Sequence, residues 1–301
     1  VTAPAKEIAD SGTYTVTEPG IYNLPADVYH GDPVPGGSLS STGARKLLPP
    51  SCPAKFKQWR DEGEEPNNSF DFGRAAHREV LGDGGDIVVV EGDGKDPNAW
   101  RTANDKAAVQ SAHDEGKTPI RPRDAARITA MADAIRAHRI AGALFRPGSG
   151  HAEQSLIWVD QATGVWRRAM LDWLPDDVSA SGRLIIPDYK TADCIDDESI
   201  ARSIYQYGYN AQGAWYIDAV KALITDKVAF VLVFQEKEPP YLVRVVEIDA
   251  PALRIGHARN RLAIHIYATC TADDHWPGYG EDIDLIALPR WAEVRDTEEY
   301  L

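Results

Sequence analysis

Only three cysteines, Cys52, Cys194 and Cys270, occur in 301 residues. The number is odd and no two lie close together, which argues against a disulfide framework or a four-thiolate metal site. Incidental thiols in a reducing cytosol are the plain reading. Long apolar runs are also missing. The longest spans residues 228–234, enough for a buried strand but far short of the roughly 20 residues of a membrane helix. The opening Val-Thr-Ala-Pro-Ala-Lys-Glu shows no signal-peptide pattern. The expectation is a soluble, intracellular protein with no membrane partner. Positive charge is scarce: 46 acids face 32 bases, a formal charge of −14. That balance excludes a protein that coats nucleic acid through bulk charge. It leaves room for a metal-dependent enzyme, whose carboxylates are themselves a negative cluster. No internal repeat or low-complexity tract is visible. A hydrophobic share of 43% with 26% charged residues is that of a globular chain. The length suits one large or two small domains with a core that needs no staples.

The pattern along the chain predicts an extended arm over 1–37, a core over 38–270 and an acidic, irregular tail over 271–301. Hydroxyls at 40–42 precede a short helix stopped by Pro49-Pro50, with Thr42 as a candidate N-cap. A second short helical piece covers 55–60, an acidic loop 61–68, a helix 70–81 and a small strand 87–90. The clearest helix runs over 122–145, opened by Pro122, with Ile128, Met131, Ala132 and Ile135 on one face. The period then changes to two, predicting strands over 155–159, 165–174 and 183–190. A long helix over about 198–224, a hairpin of 228–234 with 241–248 across Glu238-Pro-Pro, and a helix capped by Asp249 complete the core. This order describes an α/β domain with a mixed central β-sheet flanked by helices and an N-terminal helical elaboration.

The third strand of the meander ends Ile-Ile-Pro-Asp188-Tyr-Lys190-Thr. Side chains alternate along a strand, so Asp188 and Lys190 share a face. Asp172 closes the preceding strand, and neighbouring strands lie roughly 5 Å apart, so the two aspartates can converge. Glu153 stands at the entry to the first strand, and His77 on the early helix. Three carboxylates, an imidazole and a lysine suit a hard-metal hydrolytic site. The cation would lower the pKa of a water and neutralise charge at phosphorus, and Lys190 would orient or deprotonate that water. An Asp-x-Lys triplet alone is a weak signal and more often a surface ion pair. The ordered set is the stronger signal.

That set resembles the PD-(D/E)xK nuclease signature, in Asp172 and Asp188-Tyr189-Lys190. Gly73-Arg74-Ala-Ala-His77 resembles the RecB-like branch, in which a helix supplies a His ligand. More narrowly, the chain resembles RecE (exonuclease VIII-like) phage and prophage exonucleases. The similar stretches are Gly20-Ile-Tyr, Tyr29-His-Gly-Asp-Pro33, Leu39-Ser-Ser-Thr42, Phe72-Gly-Arg-Ala-Ala-His77, Glu153-Gln-Ser155, Leu171-Asp-Trp173, Asp188-Tyr-Lys-Thr191 and Gly208-Tyr-Asn-Ala-Gln212. The resemblance implies an exonuclease dependent on Mg²⁺ or Mn²⁺, with two ions per site. It implies degradation of one strand of linear double-stranded DNA, 5′ to 3′, leaving 3′ overhangs for recombination in a bacterial host cytoplasm. By carry-over, His77, Asp172, Asp188 and the Tyr189 carbonyl bind one ion, and Glu153 with Asp172 a second. Lys190 positions the water, Gln212 lies near the site, and Ser40, Thr42, Arg74 and Tyr209 lie beside DNA. A homo-oligomeric ring, trimer or tetramer, and a single-strand annealing protein are the implied partners.

Two departures stand out. Met170 occupies a position where the family commonly has a basic residue, and Arg168, on the same strand face as Asp172, is the candidate substitute. Tyr189 replaces an aliphatic and should face the other way. Tyr205, Tyr209, Gln212 and Tyr216 have spacings of 4, 3 and 4 and are expected on one helix face. Three scattered cysteines cannot hold the iron–sulfur cluster of Cas4-like nucleases. An endonuclease, an exonuclease of another polarity, or a catalytically silent DNA-binding subunit remain the competing readings.

The charge has addresses. Residues 172–198 hold eight acids against Arg183 and Lys190, and 271–301 hold nine against Arg290 and Arg295. Residues 117–139 carry six bases against two acids, and Arg254, Arg259 and Arg261 form a second basic stretch. Each is either a solvated helix face or part of a local DNA track.

Overall fold

Runs of β-branched and aromatic residues set the strands, and prolines and capping side chains set the helix starts. The computed structural model describes residues 14–63, 71–280 and 282–301. Its N-terminal half contains β1 (Gly20–Tyr22), α1 (Ala26–His30), β2 (Leu39–Ser40), α2 (Ser41–Lys46), α3 (Pro53–Glu62), α4 (Asp71–Leu81), β3 (Ile87–Val89), α5 (Ala103–Asp114), β4 (Thr118–Ile120), α6 (Pro122–Ala137) and α7 (Ala141–Leu144). The remainder holds β5 (Gly150–Val159), β6 (Trp166–Pro175), β7 (Leu184–Ala192), α8 (Asp197–Tyr207), α9 (Tyr209–Leu223), β8 (Val228–Glu236), β9 (Val243–Glu247), α10 (Ala250–Asp273) and α11 (Arg290–Tyr300). No described helix is long and apolar enough to cross a membrane.

The α/β class with mixed sheets stands, but the expected central sheet is divided. One sheet has the order β1-β5-β6-β2 and the other β7-β8-β9, with β3-β4 as a separate pair. Strand β2 runs parallel to β6 and β7 parallel to β8, while β1/β5, β5/β6 and β8/β9 are antiparallel. Between β6 and β7 a side chain joins the sheets: the Tyr189 backbone N–H donates to Asp172 Oδ2 at 2.7 Å. A carboxylate therefore takes an N–H that a strand neighbour would otherwise bond.

Helices cover both faces. Leu156, Leu171, Ile186 and Leu232 from the strands pack with Trp215 of α9 and Ile264 of α10. On the other side Ala75 and Ala76 of α4 and Met131 and Ile135 of α6 pack with Tyr189 and Val233. Each such aliphatic contributes roughly 1.5–3 kcal/mol of burial. Trp215 Nε1 donates to the Arg168 carbonyl at 3.0 Å, fixing α9 on β6.

Several expectations change. Residues 1–13 of the expected arm and 64–70 lie outside the described residues, including most of the acidic loop and Phe70. The described part of the arm is built into the fold: β1 pairs with β5 from Gly20↔Ile157, and α1 follows. The N-cap of α2 is Ser40, whose Oγ accepts from the Gly43 N–H at 3.1 Å, and Thr42 lies inside the helix. The segment over 122–145 is two helices, α6 and α7. The helix expected over 198–224 breaks at Gly208, which has φ 67° and lies where a Cβ would meet Arg45 Cδ at 3.0 Å. Residues 290–300 of the tail are helical. Asp249 does cap α10, accepting from the Ala252 N–H at 2.8 Å.

Candidate active site

Helix α4 reaches the sheets through alanines. Ala75 and Ala76 are fully buried, and their small side chains let the helix carry His77 down to the division between β6 and β7. His77 Nε2 lies 3.0 Å from Asp172 Oδ2, and Nδ1 lies 3.6 Å from Glu153 Oε1. Glu153 sits in β5 with φ 48°, a left-handed conformation that costs a non-glycine residue about 1–2 kcal/mol. Strained backbone of this kind clusters at functional sites.

The other half of the site hangs on β7 and α9. Asp188 is 1% exposed. Its Oδ1 accepts from Gln212 Nε2 at 2.9 Å, and Gln212 Nε2 also lies 3.2 Å from the Tyr216 hydroxyl. Its Oδ2 lies 2.5 Å from Lys190 Nζ, a close ion pair. Lys190 Nζ also sits 5.2 Å from the centre of the Tyr209 ring. Tyr189 turns to the opposite face as expected, its hydroxyl donating to Gln235 Oε1 at 2.6 Å.

Three carboxylates thus face one ammonium and one imidazole, and their titration is pulled apart. Burial, then the charge of Asp172, pushes the Asp188 carboxyl up to about 6 against the pull of Lys190. Burial alone would raise Asp172 as well, but the charge and hydrogen bond of His77 carry it below the usual range. Burial raises Glu153. His77 is held above its ordinary value because the attraction of Asp172 outweighs its burial. Lys190 is likewise raised, since Asp188 and Asp172 outweigh desolvation. As it stands here, Lys190 is a firm cation, better placed to orient a water than to deprotonate one.

Among the described residues no three His, Cys, Asp or Glu side chains already form a cage around one point. The donors are instead occupied with each other and with Lys190. The donor set still fits a hard divalent cation: carboxylate oxygens from Glu153, Asp172 and Asp188, one imidazole from His77, and more negative than positive charge.

The site opens into a cleft of about 630 Å³ whose walls include His77, Glu153, Arg74, Arg78, Lys117 and Met170. Gly84, Gly85 and Gly116 also line it, and a Cβ on Gly84 would lie 3.6 Å from Glu153 Oε1. Arg74 is half exposed and tied to buried Asp71 at 3.1 Å, which also holds His113 at 3.1 Å. The sequence reading missed Arg78, although it stands on the expected helix over 70–81, and His113, because residues 98–121 carry no strong period; Lys117 was legible only as the first base of the stretch over 117–139. The Thr102/Asp105 capping box at the start of α5 was the available signal.

Other expected residues stand apart. Arg168 is buried and occupied: Nη1 lies 2.8 Å from Asp32 Oδ2 and donates to the Ser38 carbonyl at 2.7 Å. Its side chain therefore fastens the N-terminal segment to β6. Ser40 serves as the α2 cap and is buried, while Thr42 is exposed on α2. The tyrosine stripe is broken by Gly208: Tyr205 points to solvent from α8, 82% exposed, while Tyr209, Gln212 and Tyr216 stay together on α9. Most of the basic stretch over 117–139 is neutralised locally, as in Lys117–Glu115, Arg127–Glu238 and Arg136–Asp133.

Comparison with known proteins bears on the fold and the family. No curated protein sequence matches the chain. A solved structure from Eubacterium rectale, provisionally described as an exonuclease, superposes with a TM-score of 0.58 at 12% identity, covering 90% of this chain and 98% of that one. At that identity the likeness is one of fold. The family described as a PDDEXK-like domain of unknown function (DUF3799) matches residues 40–289, a span that includes His77, Glu153, Asp172, Asp188 and Lys190. The superfamily typically works with divalent metals, and on this match the chain belongs to the PDDEXK-like family, within the PD-(D/E)xK nuclease superfamily.

Proposed function

We propose that the chain is a Mg²⁺- or Mn²⁺-dependent exodeoxyribonuclease that hydrolyses one strand of linear duplex DNA. The observation that carries the reading is the cluster itself: His77 lies 3.0 Å from Asp172 and 3.6 Å from Glu153, and buried Asp188 lies 2.5 Å from Lys190. His77, Asp172, Asp188 and the Tyr189 carbonyl would hold one ion, and Glu153 with Asp172 a second. The ions would supply charge neutralisation at the phosphate and a more acidic water.

The chain's own residues do the positioning. Gln212 fixes the Asp188 carboxylate through Oδ1. Lys190, held as an ammonium, orients the water whose oxygen attacks phosphorus as the bond to the leaving sugar oxygen breaks. Arg74, Arg78 and Lys117 along the cleft, each now paired with a neighbouring carboxylate (Asp71, Asp86 and Glu115), would exchange that partner for a backbone phosphate, and the glycines lining the cleft allow a strand to approach closely. This local track reconciles a −14 chain with a polyanionic substrate. A 5′ to 3′ direction, the 3′ overhang and an annealing protein that receives it rest on the resemblance to RecE-like enzymes.

The test is digestion of end-labelled linear duplex, with a closed circular control, in Mg²⁺ or EDTA. Mononucleotide release from the linear duplex alone, in Mg²⁺ alone, is the expected result. Cutting of the circle at a comparable rate would replace the exonuclease reading with an endonuclease. No hydrolysis of either would overturn both.

A further inference from the structure

The helical elaboration encloses a second cavity, of about 670 Å³, that no step of the hydrolysis uses. Small-molecule sites run to roughly 300–1,000 Å³, so the volume suits an organic ligand. The cavity lies between the start of α4, α5, β4 and the start of α6. It backs onto the catalytic cleft: Phe72 and Pro119 line it, while their chain neighbours Gly73 and Thr118 line the cleft. Phe72, Val109 and Ile120 give it apolar walls, and Trp100 an aromatic one. The indole is held in place, because Trp100 Nε1 donates to the Val90 carbonyl at 2.9 Å. The Arg121 guanidinium lies 4.5 Å from its ring centre.

The acids of this cavity are committed and its bases are not. Asp71 holds Arg74 and His113, each at 3.1 Å. Asp124 is shared by Arg121, Arg123 and Arg127, at 3.5, 3.8 and 3.3 Å. Among the described residues the Arg121 guanidinium has no other carboxylate and donates no hydrogen bond. Lys106, exposed on α5, has neither an ion pair nor a hydrogen bond for its ammonium there. A chain of −14 thus keeps unused cationic N–H donors beside a fixed aromatic plane.

Apolar walls disfavour a bare hydrated anion, and free cations disfavour a cationic ligand. A flat ring that carries an anionic group satisfies both. We infer that this cavity is a nucleotide subsite, separate from the metal cluster. The base packs with the Trp100–Arg121 pair, since aromatic and guanidinium planes both stack bases. The phosphate meets Lys106 and the unused Arg121 N–H groups. The inference rests on the nuclease reading only for the class of ligand. The adjoining cleft supplies that class in two forms, a freed mononucleotide or an unpaired nucleotide still in a strand.

Calorimetric titration of the full chain in EDTA, where binding is read without hydrolysis, tests this with two probes: deoxyadenosine 5′-monophosphate and a short single-stranded oligodeoxyadenylate. At least one should bind the wild type. Lys106→Ala and Trp100→Ala should each weaken it about tenfold or more, while Asp188→Asn, changed in the metal cluster, should retain it. The same probe without its base, deoxyribose 5-phosphate or an abasic strand, should also bind about tenfold or more weakly. Binding of the mononucleotide supports the freed product as occupant, and binding of the oligonucleotide alone supports a nucleotide within a strand. The proposal is overturned if neither probe binds, if either cavity variant keeps wild-type affinity, or if the baseless probe binds equally well. Loss of binding in Asp188→Asn would also overturn it, by placing the nucleotide in the catalytic cleft. Circular dichroism checks each fold, and exposed Lys106 keeps the test in force should Trp100→Ala unfold. Binding without hydrolysis in Mg²⁺ would keep the subsite and remove the nuclease reading. Hydrolysis without binding here would do the opposite.

Discussion

Strand β6 carries buried charge near both ends, and the two clusters are built to opposite rules. Near its start, Arg167 is 3% exposed, with its guanidinium 4.6 Å and 3.9 Å from the ring centres of Trp158 and Trp215. It lies 3.1 Å from Asp218 and 3.7 Å from Asp160, and Arg261 reaches Asp160 as well. Two acids meet two guanidinium groups there, and although Arg167 Nε lacks a hydrogen bond, the charge is balanced. Near the far end, Glu153, Asp172 and Asp188 meet only His77 and Lys190. Matched buried charge holds a fold in one arrangement. Mismatched buried charge is a standing cost to the fold, one that a bound cation would relieve.

The comparison is broken most sharply at Asp188 and Lys190. Asp188→Ala or Lys190→Ala should lower Mg²⁺-dependent hydrolysis of linear duplex on the order of 10²–10⁴-fold or more, with thermal melting unchanged or raised in Asp188→Ala and lowered in Lys190→Ala, which takes a cation from the buried carboxylates. Full activity in either variant would remove the mechanism. Arg167→Ala should do the reverse. It removes a cation from half-buried Asp218, leaving His257 beside it, and from buried Asp160, leaving Arg261, a loss of up to about 3–5 kcal/mol readable by urea unfolding, while activity per folded molecule persists. Were Arg167→Ala harmless to stability, the balanced cluster would not be structural in this sense.

The two clusters also differed in how far the sequence revealed them. Asp188 and Lys190 were visible because strand alternation is local and the strand was unmistakable. Tyr189 facing away follows from the same alternation. Arg167 and Arg168 were opaque for a complementary reason. Their partners are remote: Asp218 lies 51 residues from Arg167, and Ser38 lies 130 from Arg168. A basic residue on the face of Asp172 reads as a phosphate contact until Asp32 and Ser38 are folded onto it. Gly208 misled differently, since a single glycine is tolerated inside many helices, and only its left-handed backbone ends this one. The cleft wall from α5 and β4 was missed because short, half-buried elements leave little periodicity to read.

Metal provides a gentler contrast. Mg²⁺ should raise the melting temperature of the wild type by a few degrees, since binding to the folded state alone adds about 2.7 kcal/mol at a hundredfold excess over Kd. Arg167→Met should retain that increment on a lower baseline, whereas Asp188→Asn should lose it. Calorimetric scans with Mg²⁺ and with EDTA would read both. An undiminished increment in Asp188→Asn would move the ion away from this carboxylate.

The smallest effect is in pH, and its sign separates the clusters. Asp188 is raised, by burial and then by Asp172, to about 6. The folded protein therefore favours its protonated form, and that stabilisation is complete below the ordinary aspartate value. It is lost as pH climbs through about 6. Asp160 runs the other way. Burial would raise it, but the hydrogen bonds from Arg261 and Thr163 outweigh burial and hold it low. Its contribution is complete above the ordinary value and disappears as pH falls through the depressed one. In EDTA, then, Asp188→Asn should flatten the decline in stability between about pH 4 and above 6, and Asp160→Asn should flatten the decline on the acid side. Parallel urea titrations across that range would show it. Identical pH profiles for wild type and Asp188→Asn would mean that the empty site stores no such electrostatic penalty, and the contrast between the two ends of β6 would reduce to packing.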